Sequence, residues 1–304
     1  RGILLAINSK NNFDDAIQVI REHPFMILKE SDFSCIKINW NNKASNMQEI
    51  SKELNIGLDS FVFFDDDPIN RELIRESMPE ITTPELPHDP SFYSEVIQSL
   101  HDFSTFQITS EDTNRGQMYL EQKQRTESQN STSDISEFLK KLNLEIEIKK
   151  TNSFTIPRIS QLTLKTNQFN LTTKRYHEDQ IKKFSEDKNI LIGCAQIRDK
   201  FGDNGITGVF IVEKTNYDEW FLDTFLLSCR VMGREAEKAI LYFIINEAKN
   251  NNIKRLKAKF IPTEKNKPTE NFLSDCQFYK KDDVWIYNLD KPFNMPDFLT
   301  LSEE

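Results

Sequence analysis

Short apolar runs alternate with amphipathic stretches between residues 2 and 100 of the chain. The apolar runs predict strands, and they lie at residues 3–7, 35–38 and 60–64. The stretches with apolar residues every three or four positions predict helices, and they cover residues 13–22, 44–54 and 69–77. Strands that alternate with helices are typical of a parallel sheet with helical crossovers, so we expect an α/β fold here.

The rest of the chain follows a different pattern. A polar helix is predicted at residues 110–123, and the Ser, Thr, Asn and Gln residues of 126–133 indicate a linker or an exposed turn. Helices are then predicted at 155–165, 177–184 and 233–249, and strands at 190–197, 205–212, 220–227 and 254–260, before a short helix and a last hairpin. This order indicates an α+β fold with a mostly antiparallel sheet. We predict one domain at 1–108, a helical linker at 109–132 and a second domain at 133–304.

Composition excludes several classes of protein. The chain carries a net charge of -9 and a pI near 5.2, which repels polyphosphate backbones, so no nucleic-acid partner is predicted. Hydrophobic residues make up 38% and mean hydropathy is -0.58; no run is long enough for a membrane span, so no membrane partner is predicted. The four cysteines form no Cys-x-x-Cys pair, which is typical of reduced thiols in a cytoplasmic protein.

The chain begins at Arg1 and enters an apolar run almost at once. A fully apolar strand of a parallel sheet usually has neighbouring strands on both sides. No export signal precedes the run in this sequence. We therefore expect the chain to be a fragment of a longer protein.

Polar side chains follow two of the predicted strands at the point where each strand ends. Asn8, Ser9 and Lys10 follow the first strand, and Asp65 and Asp66 follow the third. In an open α/β sheet, ligands gather at the carboxyl ends of the strands. The hydroxyl, amide and ammonium groups suit a phosphoryl oxygen, and adjacent carboxylates become favourable when Mg²⁺ lies among them.

Lys43, at the start of a predicted helix, could place an ammonium group against the same phosphate. Each of these features also has an ordinary structural explanation. A serine before a helix is most often an N-cap, a single lysine usually faces solvent, and an acidic run before proline is often only a turn. The order of the features along the chain favours the phosphate site.

The same residues resemble motifs two, three and four of the FkbH-like proteins, subfamily IIIC of the haloacid dehalogenase superfamily. The similar runs are residues 1–12, 38–46 and 61–72, and the resemblance continues through 164–173 and 225–234. It implies a partial Rossmann-like haloacid dehalogenase domain that acts on a small phosphorylated substrate. It also implies that Ser9 binds the transferring phosphoryl group, that Lys43 offsets its charge, and that Asp65 and Asp66 hold Mg²⁺.

Two departures from the family pattern matter for chemistry. Family members carry an Asp-x-Asp motif on an N-terminal strand, and its first aspartate is the nucleophile; no such motif precedes Arg1 here. We expect this piece to be inert as a phosphatase, whereas the intact gene product is expected to be active or to descend from an active enzyme. Some relatives in polyketide pathways have a cysteine where this chain has Asn8, so a thioester at that position is not expected.

A strand, a loop and a long helix in the second domain resemble the pyrophosphate loop of GNAT acyltransferases. The matching residues are Arg230, Val231, Met232, Gly233 and Arg234. N–H groups at a helix N-terminus can hold a pyrophosphate, so acyl-CoA is a candidate cofactor, although Glu235 stands where a small residue is usual. The alternative is an arginine that only caps the helix.

Two further polar segments allow more than one interpretation. Asn167, Gln168 and Asn170 are candidate acceptor contacts, and the alternative is a structured loop that covers the sheet. The Gly202-Asp203-Asn204-Gly205 run could form a catalytic loop, but its composition predicts a hairpin turn.

The leading hypothesis is an enzyme with two sites. The first domain would be a Mg²⁺-dependent phosphatase or acyl-phosphate transferase, and the second would transfer an acyl group from coenzyme A or an acyl carrier protein in secondary-metabolite or surface-glycan biosynthesis. A rival hypothesis is a non-catalytic module that binds a carrier protein and has vestigial sites. A plain phosphatase with a structural second domain is the third.

Overall fold

The computed structural model describes residues 1–104, 108–132 and 134–304. Within it, the chain divides into two compact units, Arg1–Leu120 and Glu121–Glu304, called here the first and the second unit. The predicted second domain starts at Ser133, which lies outside the described residues. The predicted limits of the domains and of the linker therefore stay a prediction.

The first unit combines a short parallel sheet with helices. Its strands are β1 (Leu5–Ser9) and β2 (Phe33–Ile38). Its α-helices are α1 (Phe13–Glu22), α2 (Lys43–Leu54), α3 (Pro68–Ser77), α4 (Tyr93–Ser99) and α5 (Ser110–Thr113), followed by the start of α6 (Arg115–Asn130). Short 3-10 helices lie at Glu30–Asp32, Leu58–Ser60, Pro90–Phe92 and His101–Phe103.

The two strands of the first unit run parallel and end side by side. Ser9 is level with Ile38, and the backbone N–H of Asn39 donates to the carbonyl of Ser9 at 3.1 Å. The loops that follow β1 and β2 therefore leave from the same edge of the sheet. α2 packs its buried face, which includes Met47 and Ile50, into the core of the unit.

The strand predicted at residues 60–64 does not form a ladder. Val62 makes a single parallel bridge to Thr82, supported by the Phe63 N–H to the Thr82 carbonyl at 2.9 Å. The partner segment lies between Pro79 and Pro84. Because proline has no N–H to donate, these two residues limit the length of the pairing.

β1 is less buried than its apolar sequence predicts. Leu5 remains 37% exposed, and β1 pairs with β2 in the described part of the chain. The strand itself lies at Leu5–Ser9 rather than at residues 3–7, so the polar Asn8 and Ser9 belong to the strand end.

The second unit is built on one large sheet. Its helices after α6 are α7 (Ile135–Leu142), α8 (Ile156–Lys165), α9 (Glu178–Glu186), α10 (Ala236–Asn250) and α11 (Phe272–Asp275). Its strands are β3 (Glu145–Lys150), β4 (Phe169–Asn170), β5 (Ile190–Asp199), β6 (Gly202–Glu213), β7 (Glu219–Leu227), β8 (Arg255–Ala258), β9 (Tyr279–Lys281), β10 (Val284–Asn288) and β11 (Thr300–Glu303). 3-10 helices lie at Cys229–Val231 and Lys267–Thr269.

The strand order of this sheet is β11-β3-β5-β6-β7-β8-β10-β9, with β4 added to β7. Neighbouring strands are antiparallel except at β7 with β8 and β11 with β3, which are parallel. β8 pairs with β7 as far as Leu222, and β4 pairs with the end of β7 at Leu226 and Leu227. The predicted fold class, α/β followed by α+β with a mostly antiparallel sheet, is confirmed.

Two local predictions for this part are wrong. Residues 126–130 are helical, because α6 continues to Asn130, so the predicted linker or turn there is a helix. The hairpin between β5 and β6 turns at Lys200 and Phe201, two residues before the predicted run at 202–205. The side chain of Asp199 fixes this turn, since its Oδ1 accepts the N–H groups of Phe201 at 2.9 Å and Gly202 at 3.2 Å.

Among the described residues, no helix is long and apolar enough to cross a bilayer. Buried side chains from α7, α10 and the sheet instead pack into one extended core of the second unit.

Candidate functional site

Two helix starts position the central pair of the first unit. Asn42 caps α2 by accepting the Ala44 N–H at 2.8 Å, so the helix begins at Lys43. Asp67 caps α3 by accepting the Ile69 N–H at 2.9 Å. Between these caps, the Lys43 ammonium donates to Oδ2 of Asp65, and the two side chains are only 10% and 4% exposed.

Asn8 joins this pair from the end of β1. Its Nδ2 donates to the Lys43 carbonyl at 2.9 Å, and the Lys43 ammonium donates to the Asn8 carbonyl at 3.3 Å. The structure thus brings together three residues that are distant in the sequence. Asn8, Lys43 and Asp65 are called the phosphate-site cluster below.

Asn46 holds the cluster in place and was not among the predicted residues. It is fully buried on α2, and its Nδ2 donates to Oδ1 of Asn8 and to Oδ1 of Asn39, both at 3.0 Å. A signal for it existed, because Asn46 lies one helical turn after Lys43 and therefore on the same face of α2.

Asp65 is also held by groups from α3. Its Oδ1 accepts Nδ2 of Asn70 and the N–H of Asp67, both at 3.1 Å. Nη1 of Arg71 donates to the carbonyls of Asp65 at 2.8 Å and of Asp66 at 3.0 Å. Asn70 and Arg71 were not predicted as site residues, although both lie in the first turn after the acidic run.

Three predicted residues lie next to the cluster in the chain. Ser9 is the half-buried last residue of β1, and Lys10 follows it on the surface. Asp66 is exposed directly after Asp65. The roles of Ser9, Lys10 and Asp66 stay predictions.

Mg²⁺ was the predicted metal of this site, with Asp65 and Asp66 as its ligands. The described residues contain no group of three or more His, Cys, Asp or Glu side chains arranged to hold a metal ion. Mg²⁺ usually takes one or two carboxylates and fills its remaining positions with water and substrate phosphate oxygens. Asp65 and Asp66 fit such an ion, because Oδ2 of Asp65 has lone pairs beyond the one that accepts from Lys43.

The predicted pyrophosphate loop of the second unit is held internally. Nη1 of Arg234 pairs with Oδ2 of Asp199 at 3.0 Å, and its Nη2 donates to Gln122 at 2.6 Å and to the carbonyl of Arg230. Arg125 pairs with the same carboxylate at 2.6 and 2.9 Å. Burial and then the nearby Arg125 charge lower the pKa of Arg234 to about 10.

The other loop residues surround this internal pair. Val231 is fully buried, Arg230 and Met232 are half-buried, and Gly233 is exposed with a positive φ of 75°. Glu235 precedes α10 and pairs with Lys238 at 2.8 Å.

Arg234 therefore does not fit the role of a pyrophosphate contact. The acidic Glu235 also lies at the helix N-terminus, where an anion would bind. Coenzyme A is therefore not assigned to this loop.

The side chains of two predicted acceptor residues, Asn167 and Asn170, accept hydrogen bonds from their own loop segment. Oδ1 of Asn170 accepts the N–H groups of Thr172 at 3.3 Å and Thr173 at 2.9 Å, and the residue is fully buried. Oδ1 of Asn167 accepts from Arg175, and Gln168 precedes β4. Their role as acceptor contacts stays a prediction.

An unpredicted cluster surrounds Asp223 on β7. This buried carboxylate accepts the hydroxyl of Tyr176 at 2.7 Å and that of Thr224 at 2.9 Å, and it pairs with the ammonium of Lys174. Burial and then the Asp223 hydrogen bond raise the pKa of Tyr176 above its ordinary value, so the phenol stays protonated. Sequence analysis missed the cluster because β7 is otherwise apolar.

No family model matches the chain, and no curated protein matches it. Among solved structures, the N-terminal part of a Bacteroides fragilis protein, which contains a phosphatase domain complexed with Mg, is 43% identical. That match covers 35% of this chain and 28% of the other, with a TM-score of 0.34. The match spans less than a third of the Bacteroides chain. The two proteins are similar in amino-acid identity over the matched part.

Acetyltransferases are also among the solved structures with some likeness. A GNAT-family acetyltransferase from Staphylococcus aureus is 15% identical over 47% of this chain and 99% of that one, with a TM-score of 0.37. N-acetylglutamate synthase from Neisseria gonorrhoeae, complexed with coenzyme A and N-acetylglutamate, is 13% identical over 48% of this chain and 35% of that one, with a TM-score of 0.36.

Proposed function

We propose that the first unit is the phosphate-handling part of a Mg²⁺-dependent phosphohydrolase or acyl-phosphate transferase of the haloacid dehalogenase type, in the FkbH-like branch. Its substrate would be a small phosphorylated molecule. The observation that carries the proposal is the buried contact between Lys43 and Asp65. A hydrogen bond from Asn8 to the Lys43 carbonyl links this pair to the end of β1. The 43% identity with a protein that contains a phosphatase domain supports it.

Each residue would have a distinct task. Asn8 and Asn46 hold Lys43 in place, so that its ammonium faces the developing negative charge without reorganising. The hydroxyl of Ser9 would donate to a phosphoryl oxygen, with Lys10 beside it at the surface. Mg²⁺, when bound by Asp65 and Asp66, would neutralise phosphate charge.

Mg²⁺-dependent phosphate release by the gene product tests the proposal. Lys43→Met and Asp65→Asn are each expected to lower kcat/KM by about 100-fold, because each removes a fixed charge that acts on the phosphoryl group. Lys37→Met is the matched control, since Lys37 on β2 pairs with Glu49 and Glu53 away from the cluster. If Lys43→Met releases phosphate as fast as Lys37→Met, the proposed role of Lys43 is wrong.

Ligand binding gives a second test that does not need turnover. Inorganic phosphate with Mg²⁺ at about 100 times its Kd is expected to add about 2.7 kcal/mol to the stability of the chain. The same phosphate without Mg²⁺ should add less. Absence of a shift with both present would count against a metal-bound phosphate in this unit.

Acyl transfer by a GNAT-like second unit is the second candidate function. The observation that favours it is the contact of Tyr176 and Lys174 with the buried Asp223. The Asp223 carboxylate, held by Tyr176 and Lys174, could accept a proton from the nucleophile that attacks the acyl group. The acyl donor would be acyl-CoA or an acyl carrier protein, in secondary-metabolite or surface-glycan biosynthesis.

Acyl transfer can be tested by thiol release from acetyl-CoA and from an acetylated carrier protein. Asp223→Asn is expected to lower kcat by about 100-fold, within the range typical of general base catalysis. Asp203→Asn is the control, because the pair of Asp203 with Arg198 is exposed. Binding of carrier protein without any thiol release would favour the rival, a non-catalytic carrier-binding module.

A further inference from the structure

A cleft of about 540 Å³ opens beside the phosphate-site cluster, at the ends of β1 and β2. The cleft is open to solvent, so a ligand bound there would keep part of its surface exposed. Asn39, on its wall, exchanges side-chain hydrogen bonds with Asn46, which in turn donates to Asn8. The cleft, lined by residues 11–15 and 38–40 and named here the aromatic cleft, is a candidate site for the organic part of a substrate whose phosphate lies at the cluster.

Two aromatic side chains line the aromatic cleft and face solvent. Trp40 is 70% exposed and Phe13 is 47% exposed. Trp40 is oriented by the hydrogen bond from its Nε1 to Oδ1 of Asn12 at 3.2 Å. An exposed ring with a fixed orientation offers a flat apolar surface, which suits the C–H face of a sugar or polyol.

Amide groups supply the polar contacts of the cleft. Asn11, Asn12 and Asn39 line it, and each carries an amide hydrogen beyond those that Asn12 donates to Asp15 and Asn39 donates to Asn46. Hydroxyl groups also donate and accept, so rows of amides match a polyhydroxylated ligand better than they match an anion. Asn12 is held in place because its Nδ2 donates to Asp15 at 3.0 Å.

The charge of the cleft discriminates between phosphorylated substrates. Asp14 and Asp15 line it at the start of α1, and none of its lining residues, all of them described, is Lys, Arg or His. A second phosphate or a carboxylate on the substrate would meet two carboxylates without a counter-charge. A neutral organic part would meet no such repulsion.

We propose that the aromatic cleft binds the neutral, hydroxyl-rich part of a sugar or polyol monophosphate and discriminates against substrates that carry a carboxylate or a second phosphate. The inference rests on the proposed function for the position of the phosphate. The recognition of the hydroxylated part is a property of the cleft itself and can be tested separately.

Calorimetric titration in the presence of Mg²⁺ tests the substrate class. A hexose 6-phosphate is expected to bind about tenfold more tightly than inorganic phosphate, whereas 3-phosphoglycerate should bind no more tightly than phosphate. Trp40→Ala should remove most of the hexose preference and leave phosphate binding unchanged, and Trp40→Phe should restore much of it. Phe25→Ala is the control, because Phe25 is exposed outside the cleft.

An uncharged ligand distinguishes this inference from the proposed function. A methyl hexoside carries no phosphate, and it is expected to shift the indole N–H resonance of Trp40, which is assigned by its loss in Trp40→Ala. If phosphate fails to bind but the hexoside shifts this resonance, the proposed function fails and the cleft assignment stands. If the hexoside has no effect, or if 3-phosphoglycerate binds as tightly as the hexose phosphate, the cleft assignment is overturned.

Discussion

Lys43 in the first unit and Arg234 in the second are both buried cations paired with a buried carboxylate, and the sequence predicts both as ligand contacts. Their surroundings differ. The pair of Lys43 and Asp65 has exposed charged residues near it in the chain. They are Asp66, directly after Asp65, and Lys10, two positions after Asn8. Arg234 shares Asp199 with a second guanidinium, that of Arg125, and the Asp199 side chain is 0% exposed.

This difference shows that a cation within a motif can bind a ligand or stabilise the fold, depending on its partner. Two arginines on one carboxylate tie α6, the β5–β6 turn and the loop before α10 together. A single lysine on an aspartate that adjoins another carboxylate leaves room for a metal and an anion. The contrast can be tested by removing the groups on each side.

The largest effect is expected from Asp199→Asn. The change removes the ion-pair partner of Arg234 and leaves Arg125 with only Glu121 at 3.6 Å, so it should lower the free energy of unfolding by about 3–5 kcal/mol. Urea denaturation of the chain measures this loss. Asp203→Asn on the same hairpin is the control, because its pair with Arg198 is exposed and should contribute at most about 1 kcal/mol. Equal losses in the two variants would show that Asp199 is not a structural anchor.

A smaller loss is expected from Asn46→Ala in the first unit. The change removes the hydrogen-bond partner of the half-buried side chains of Asn8 and Asn39, which should cost about 1 kcal/mol of unfolding free energy. Because Asn46 also holds Asn8 beside Lys43, affinity for phosphate with Mg²⁺ should fall as well. Gln48→Ala on the exposed face of α2 is the control. Lost stability with unchanged phosphate affinity would separate Asn46 from the site.

The smallest effect concerns Glu237 in the first turn of α10. Its Oε2 is buried and has no hydrogen-bond partner among the described residues, and burial raises its pKa. A carboxyl group with a raised pKa in the folded state costs stability as pH rises above its unfolded pKa, because folding then opposes ionisation.

Glu237→Gln should therefore stabilise the chain more at about pH 8 than at about pH 4.5. Urea denaturation at both pH values measures the change, and Glu137→Gln, at an exposed position of α7, gives the reference. A stabilisation that is the same at both pH values would mean that Glu237 does not ionise against a burial cost.

Local patterns predict much of the fold. Residues 13–22 form the predicted helix α1 to the residue, because its apolar positions recur at helical spacing and need no distant partner. The strand at residues 60–64 could not be judged in this way, since a ladder depends on a partner whose length is limited by Pro79 and Pro84. β11 was not predicted at all, and its partner β3 lies far away in the sequence.

The same limit applies to the candidate sites. The polar and charged residues that follow the strands or begin a helix predicted Asn8, Lys43 and Asp65. They could be placed together because the carboxyl ends of parallel strands meet at one edge of a sheet. The internal pairing of Arg234 was not predictable, since Arg125 and Asp199 belong to separate elements. The Asp223 cluster was missed for the same reason, because Tyr176 and Lys174 reach it from a loop.

The short strand β4 has a consequence for self-association. Beyond Leu222, where β8 leaves β7, the edge of β7 is taken up by β4 and by Leu171, whose N–H donates to the Phe225 carbonyl at 3.1 Å. An unpaired edge of this kind would recruit a strand from a second molecule. The edge is closed, so a peptide that adds a strand to this sheet would pair with its outer strands β9 or β11. β9 carries Lys280 and Lys281, charges that discourage such pairing and help keep copies of the chain apart.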